Sequence, residues 1–197
     1  MTGVQTCALP ILFILNENVT NFNRKWSTHD IMVTAILSIV LGLLNIPLTY
    51  LGSYLIAFPI VFPIMMGIGF FPLILVAYLI RKPGSVLLSS FIIMAVGVPF
   101  TPYGVVMLGQ VLMYGLPLEI VFLLGRYRHF ESWFMAIAGI VVNVIGGILF
   151  FISYGILNMD ILIQLIIVVE TIISGVLFAG LLSKWLGDAV LKTGVIR

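Results

Sequence analysis

Two carboxylates stand inside long apolar stretches, Glu119 in "GLPLEIVFLLGRYR" and Glu170 in "ILIQLIIVVETIISG". An ionisable group at membrane depth costs a few kcal/mol and normally faces a bundle interior or water, so each is a candidate functional residue. Glu119 could equally pair with Arg126, two helical turns on. Counting from the cationic helix ends at about 1.5 Å per residue puts Tyr114, Asn143 and Glu170 about 11 to 14 residues deep. A hydroxyl, an amide and a carboxylate on three helices would then share one level, as a small-solute pocket requires. Gln110 shares a helical face with Tyr114 but lies about 180° from Glu119 on an ideal helix, unless Pro117 bends it. Asn143 precedes Gly146 and Gly147, which admit a ligand or a neighbouring backbone; an interhelical hydrogen bond is its alternative role. Tyr50, Tyr54, Tyr103 and Tyr154 gather towards the opposite end, as an interfacial belt or as a lid of rings over a cationic heterocycle.

Other chemistries lack their parts. Both histidines, His29 and His129, fall in segments between apolar runs, and there is no His-Glu-x-x-His or paired acid at ligand spacing, so no metal site is expected. The sole cysteine is Cys7, so no disulfide or cysteine cluster can form. "GDAVLKTG" imitates a phosphate loop but lacks the glycine before Lys192 and continues a helix. The sequence therefore points away from an enzyme and from a bound cofactor. Energy for uphill movement of a solute would come from a partner or from an ion gradient. A net charge of +2 gives no reason to expect a nucleic-acid partner.

The elements that must position these residues are membrane helices. The chain is 62% hydrophobic and 8% charged, and apolar stretches of about 20 residues span a bilayer. Six are read, at about 30–52, 55–80, 85–99, 104–125, 132–155 and 161–186, the third being short. Runs such as "IMVTAILSIVLGLL" lack the alternation of a β-barrel strand. The expected fold is an all-α integral membrane protein. If the spans alternate, all nine Lys and Arg residues fall on one side: Arg24, Lys25, Arg81, Lys82, Arg126, Arg128, Lys184, Lys192 and Arg197. The positive-inside rule then puts both termini in the cytoplasm of a prokaryotic cell.

Residues 1–16, including "MTGVQTCALPILFIL", fit neither a signal peptide nor a span and resemble translated sequencing adaptor, so they read as non-native. Residues 17–29 read as a cytoplasmic segment and 30–197 as the membrane domain. Two ladders of small residues recur every four positions: Thr34, Ser38 and Gly42, and Gly175, Ala179, Ser183 and Gly187. Such ridges let helices approach closely, either within the chain or against another membrane subunit.

"AYLIRKPG" at 77–84, "GLPLEIVFLLGRYR" at 115–128 and "SGVLFAGLLSKWLGDAVLKTGV" at 174–195 together resemble the YkoE-type substrate-binding (S) components of energy-coupling factor transporters. The resemblance implies six helices that capture a vitamin, thiamine or its hydroxymethylpyrimidine precursor. It also implies docking onto a transmembrane coupling subunit driven by two cytoplasmic ATPases. It further implies that Glu119 matches an acid of the family and that Thr34, Ser38 and Gly42 form the ridge offered to the coupling subunit. Pro63, Gly69, Gly97 and Thr171 stand where the family pattern has an acid, a tryptophan, an acid and an arginine. The expected solute contacts are Glu119, Tyr114, Asn143, Glu170, Gln110 and Tyr154. A proton-coupled carrier working through Glu170 and a non-transporting structural subunit remain the alternatives.

Overall fold

The computed structural model describes residues 26–193. The expected non-native segment, Cys7, Arg24, Lys25, Gly194, Val195 and Arg197 lie outside the described residues. Every regular element among the described residues is helical. Five stretches are long and apolar enough to cross a membrane: α1 (Thr28–Leu55), α2 (Phe62–Ile80), α4 (Val106–Leu124), α5 (Ser132–Ser153) and α6 (Ile161–Lys192). Between α2 and α4 lies a shorter apolar helix, α3 (Ser85–Gly97).

Local chemistry sets the ends. At the start of α1 the Ser27 N–H donates to Asp30 Oδ2 at 2.8 Å, half of a reciprocal capping arrangement. Asp30 also forms an ion pair with Lys82. α2 stops at Arg81, whose φ of 53° is left-handed, and Pro83 cannot continue a helix. Gly84 reverses the chain at φ 87°, a conformation open to glycine without steric cost, and α3 starts at the next residue. The "RKPG" stretch is thus a helix stop followed at once by a helix start. Trp26 Nε1 donates to the Pro83 carbonyl at 3.0 Å, and the Arg81 guanidinium lies 4.8 Å from the centres of both the Tyr78 and Phe130 rings.

α2 is the central helix, with Leu73 through Leu79 all buried. Apolar burial alone gives helices no drive to associate in lipid; close backbone approach and hydrogen bonds must do it. That need explains α5 against α6. A Cβ on Gly139 would collide with the Gly175 carbonyl, and one on Gly180 would come within 2.6 Å of the Met135 carbonyl. The α6 hydroxyls of Ser174 and Ser183 donate to α2 carbonyls, at Ile64 (3.2 Å) and Phe71 (3.0 Å). Gly187 packs on the Tyr78 ring. The α6 ladder therefore serves internal packing.

The same holds for α1. Thr34, Ser38 and Gly42 are buried, and a Cβ at Gly42 would stand 3.3 Å from the Ile93 Cα and the Val96 Cβ of α3. In this structure α3 lies against Gly42 of the ridge that the family resemblance assigns to a coupling subunit, and the exposed face of α1 carries Ile36, Val40, Leu43 and Leu44.

Candidate functional site

At the end of the bundle where the α1–α2, α3–α4 and α5–α6 connections lie, two adjoining depressions open, with volumes of about 710 Å³ and 160 Å³. Both are lined by Phe62, Met66, Tyr103, Gln110 and Tyr114, so they form one composite cavity of small-ligand size. Rings line its walls: Phe70 and Tyr114 are 4.8 Å apart, Phe62 stacks on Phe150 at 4.5 Å, and Phe150 lies 5.0 Å from Tyr154. Asn45, Thr49 and Ser153 contribute further polar groups. No Asp, Glu, Lys, Arg or His is among the lining residues.

α4 presents Gln110 and Tyr114 through a break in its own regularity. Residues Val111–Gly115 form a π-helical turn, a local widening common at functional sites. Pro117 explains the position: it has no N–H to give the Met113 carbonyl, so the regular ladder cannot pass through. The bend expected of Pro117 is realised as this widened turn, and it does not bring Glu119 to the cavity.

The family described as "ABC-type cobalt transport system, permease component" matches residues 29–145. A Bacillus subtilis (strain 168) protein named as HMP/thiamine permease protein YkoE is 33% identical over 182 residues, covering 88% of this chain and 89% of that relative. The chain belongs to the YkoE-type family of S components. A crystal structure of an S-component of an ECF transporter superposes with a TM-score of 0.80 at 31% identity, covering 87% of this chain and 89% of that one.

Within this S-component fold, the sequence-derived candidates separate into two groups. Gln110, Tyr114 and Tyr154 line the cavity; Asn143, Glu170 and Glu119 are not among its lining residues. Asn143 is fully buried, its Nδ2 donating to the Gly139 carbonyl at 3.1 Å and its Cβ close against Gly175; it sits in the α5–α6 crossing. Its Oδ1 has no hydrogen-bond partner among the described residues, and neither has the buried Oε2 of Glu170.

Glu119 lies at the cationic end. It is 4% exposed, and its carboxylate accepts hydrogen bonds from the Gly84 N–H (2.7 Å) and the Val86 N–H (3.2 Å). Those donors belong to the first turn of α3, where backbone N–H groups lack intrahelical partners, so Glu119 caps α3 from a neighbouring helix. Tyr127, at φ 52°, is buried beside this carboxylate, and burial together with the Glu119 charge holds its phenol above the ordinary tyrosine range.

The cavity residues that sequence reasoning passed over are Asn45, Thr49 and the methionines Met65, Met66, Met94 and Met107. Asn45 carried a signal: it is an amide within the apolar stretch of α1, "LGLLNIPLTY". The methionines carried none, since nothing in an apolar helix separates a cavity-lining thioether from a lipid-facing one.

Proposed function

We propose that this S component captures thiamine or its hydroxymethylpyrimidine precursor from outside the cell and delivers it to a coupling subunit driven by two ATPases. The observation that carries this reading is the uncharged, ring-lined cavity at the end of the bundle opposite the cations. Arg81, Lys82, Arg126 and Arg128 lie in the α2–α3 and α4–α5 connections, and Lys184 reaches Ser132 at the start of α5. The connections around the cavity carry neither Lys nor Arg. The positive-inside rule supports this reading, with the cations on the cytoplasmic side and the cavity mouth outside. α3 then makes the sixth crossing with the Val98–Val105 segment, since Gly84 at its start meets Glu119 at the cationic end and Tyr103 beyond its end lines the cavity. On this reading both termini are cytoplasmic.

Flat aromatic solutes suit the walls, where stacking on a ring is worth about 1–3 kcal/mol per base-like group. Among the described residues there is no group of three or more His, Cys, Asp or Glu side chains that could hold a metal ion. The cavity chemistry therefore favours an organic solute over the cobalt named in the family description. To test this, the protein is purified in detergent and denatured, and the released small molecules are identified by mass spectrometry. Recovery of thiamine or hydroxymethylpyrimidine supports the reading; if neither is released and neither binds when added at micromolar levels, the solute assignment fails.

A further inference from the structure

We propose that the carboxamides of Asn45 and Gln110 are the specificity-determining groups of this cavity, and that they select a neutral heteroaromatic ring bearing an amine next to a ring nitrogen. This rests on the solute reading above and narrows it to the part of the molecule that is recognised.

Asn45 on α1 and Gln110 on α4 line the same depression. Three nearby hydroxyls are committed within the protein: Thr49 donates to the Asn45 backbone carbonyl at 2.9 Å, and Ser53 bonds the Thr49 carbonyl at 2.8 Å and the Tyr103 hydroxyl at 3.2 Å. The side-chain amides of Asn45 and Gln110 make no hydrogen bond to any described residue. Each therefore offers one acceptor oxygen and two N–H donors to whatever enters. A carboxamide fits an amine beside a ring nitrogen with two parallel bonds, the geometry by which Asn and Gln read adenine. Thioethers and rings make up most of the remaining wall, and in such surroundings a solute lacking the matching groups would leave these amides unsatisfied.

Charge sets the second half of the selection. With no charged lining residue, a phosphate group would enter without a cationic partner. A positively charged ring would find only aromatic faces to hold it. The geometry thus assigns recognition to the aminopyrimidine edge.

The test is equilibrium binding to the purified full chain with three probes: hydroxymethylpyrimidine, its analogue with the amine replaced by hydrogen, and its monophosphate. Wild-type protein is expected to prefer the amine over the des-amino analogue by about tenfold or more, the worth of one good bidentate pair, and to bind the monophosphate at least about tenfold more weakly than the neutral compound. Gln110→Leu and Asn45→Leu should each weaken binding of the amine about tenfold and shrink its preference over the des-amino analogue. Gln110→Met keeps the side chain's length but removes both its N–H donors and its acceptor oxygen, and should weaken amine binding similarly. If all three variants keep the wild-type preference, or the monophosphate binds as tightly as the neutral compound, the proposal is overturned while the solute reading stands. Wild-type protein that binds neither hydroxymethylpyrimidine nor thiamine overturns both.

Discussion

Glu119 and Gly84 are joined across 35 residues: the Glu119 carboxylate accepts the Gly84 N–H at 2.7 Å and so ties the middle of α4's last regular segment to the turn that launches α3. A residue that looked like a solute contact instead completes the "RKPG" turn, alongside the Trp26 bond to Pro83 and the Lys82 pairing with Asp30.

Removing that carboxylate should cost stability rather than affinity. Glu119→Ala leaves the Gly84 and Val86 N–H groups without their acceptor, a loss of about 2–4 kcal/mol for hydrogen bonds to a buried charged group. Thermal unfolding in detergent should show it, while hydroxymethylpyrimidine affinity in the folded fraction stays within about threefold. A loss of affinity with unchanged unfolding temperature would place Glu119 in the solute site.

The glycines divide by what faces them. Gly139→Ala drives a Cβ into the Gly175 carbonyl and should destabilise the protein by about 1–3 kcal/mol. Gly69 has nothing within 4 Å of its Cβ position, so Gly69→Ala should stabilise the helix by about 0.5–1 kcal/mol. Unfolding temperatures that move in the same direction would refute the crossing geometry of α5 and α6.

Gly42 tests the α1 ridge. A leucine there meets the backbone of Ile93 and the Val96 side chain, so Gly42→Leu should lower unfolding temperature and solute binding together. Weakened recovery of a coupling subunit, with stability and solute binding intact, would instead mean that the ridge is free to dock a partner.

For the cavity wall, Tyr114 contributes its ring. Tyr114→Ala should weaken hydroxymethylpyrimidine binding about tenfold to a hundredfold, the worth of a lost stacking partner. Tyr114→Phe, which keeps the ring, should stay within about threefold. Equal losses would shift the role to the hydroxyl.

Glu170 sits outside the cavity lining. Uptake by Glu170→Gln should therefore match wild type, and a proton uncoupler with ATP held constant should not abolish uptake. Abolition by the uncoupler would favour a proton-coupled carrier.

Five spans were legible because composition alone dictates them, and the third apolar stretch, read as short in the sequence, is a helix of 13 residues, Ser85–Gly97. The turn at 81–84 was legible because Pro83 and Gly84 have few other places to sit. Depth counting failed for Asn143 and Glu170 because equal depth says nothing about facing: Asn143 points into a glycine-lined crossing, where only tertiary packing decides its direction. The partners of Glu119 were hidden for a similar reason, since they are backbone N–H groups that no sequence pattern marks. Gln110 and Tyr114 share one face, as their spacing implies, but no sequence pattern marks the π turn that presents them.

The most direct test is calorimetric titration of the purified protein with hydroxymethylpyrimidine, compared with Tyr114→Ala. Saturable one-to-one binding by the wild type, weakened about tenfold or more in the variant, is the predicted result. Absence of binding to the folded wild-type protein, or binding indifferent to Tyr114, would contradict the assignment of this cavity as the solute site.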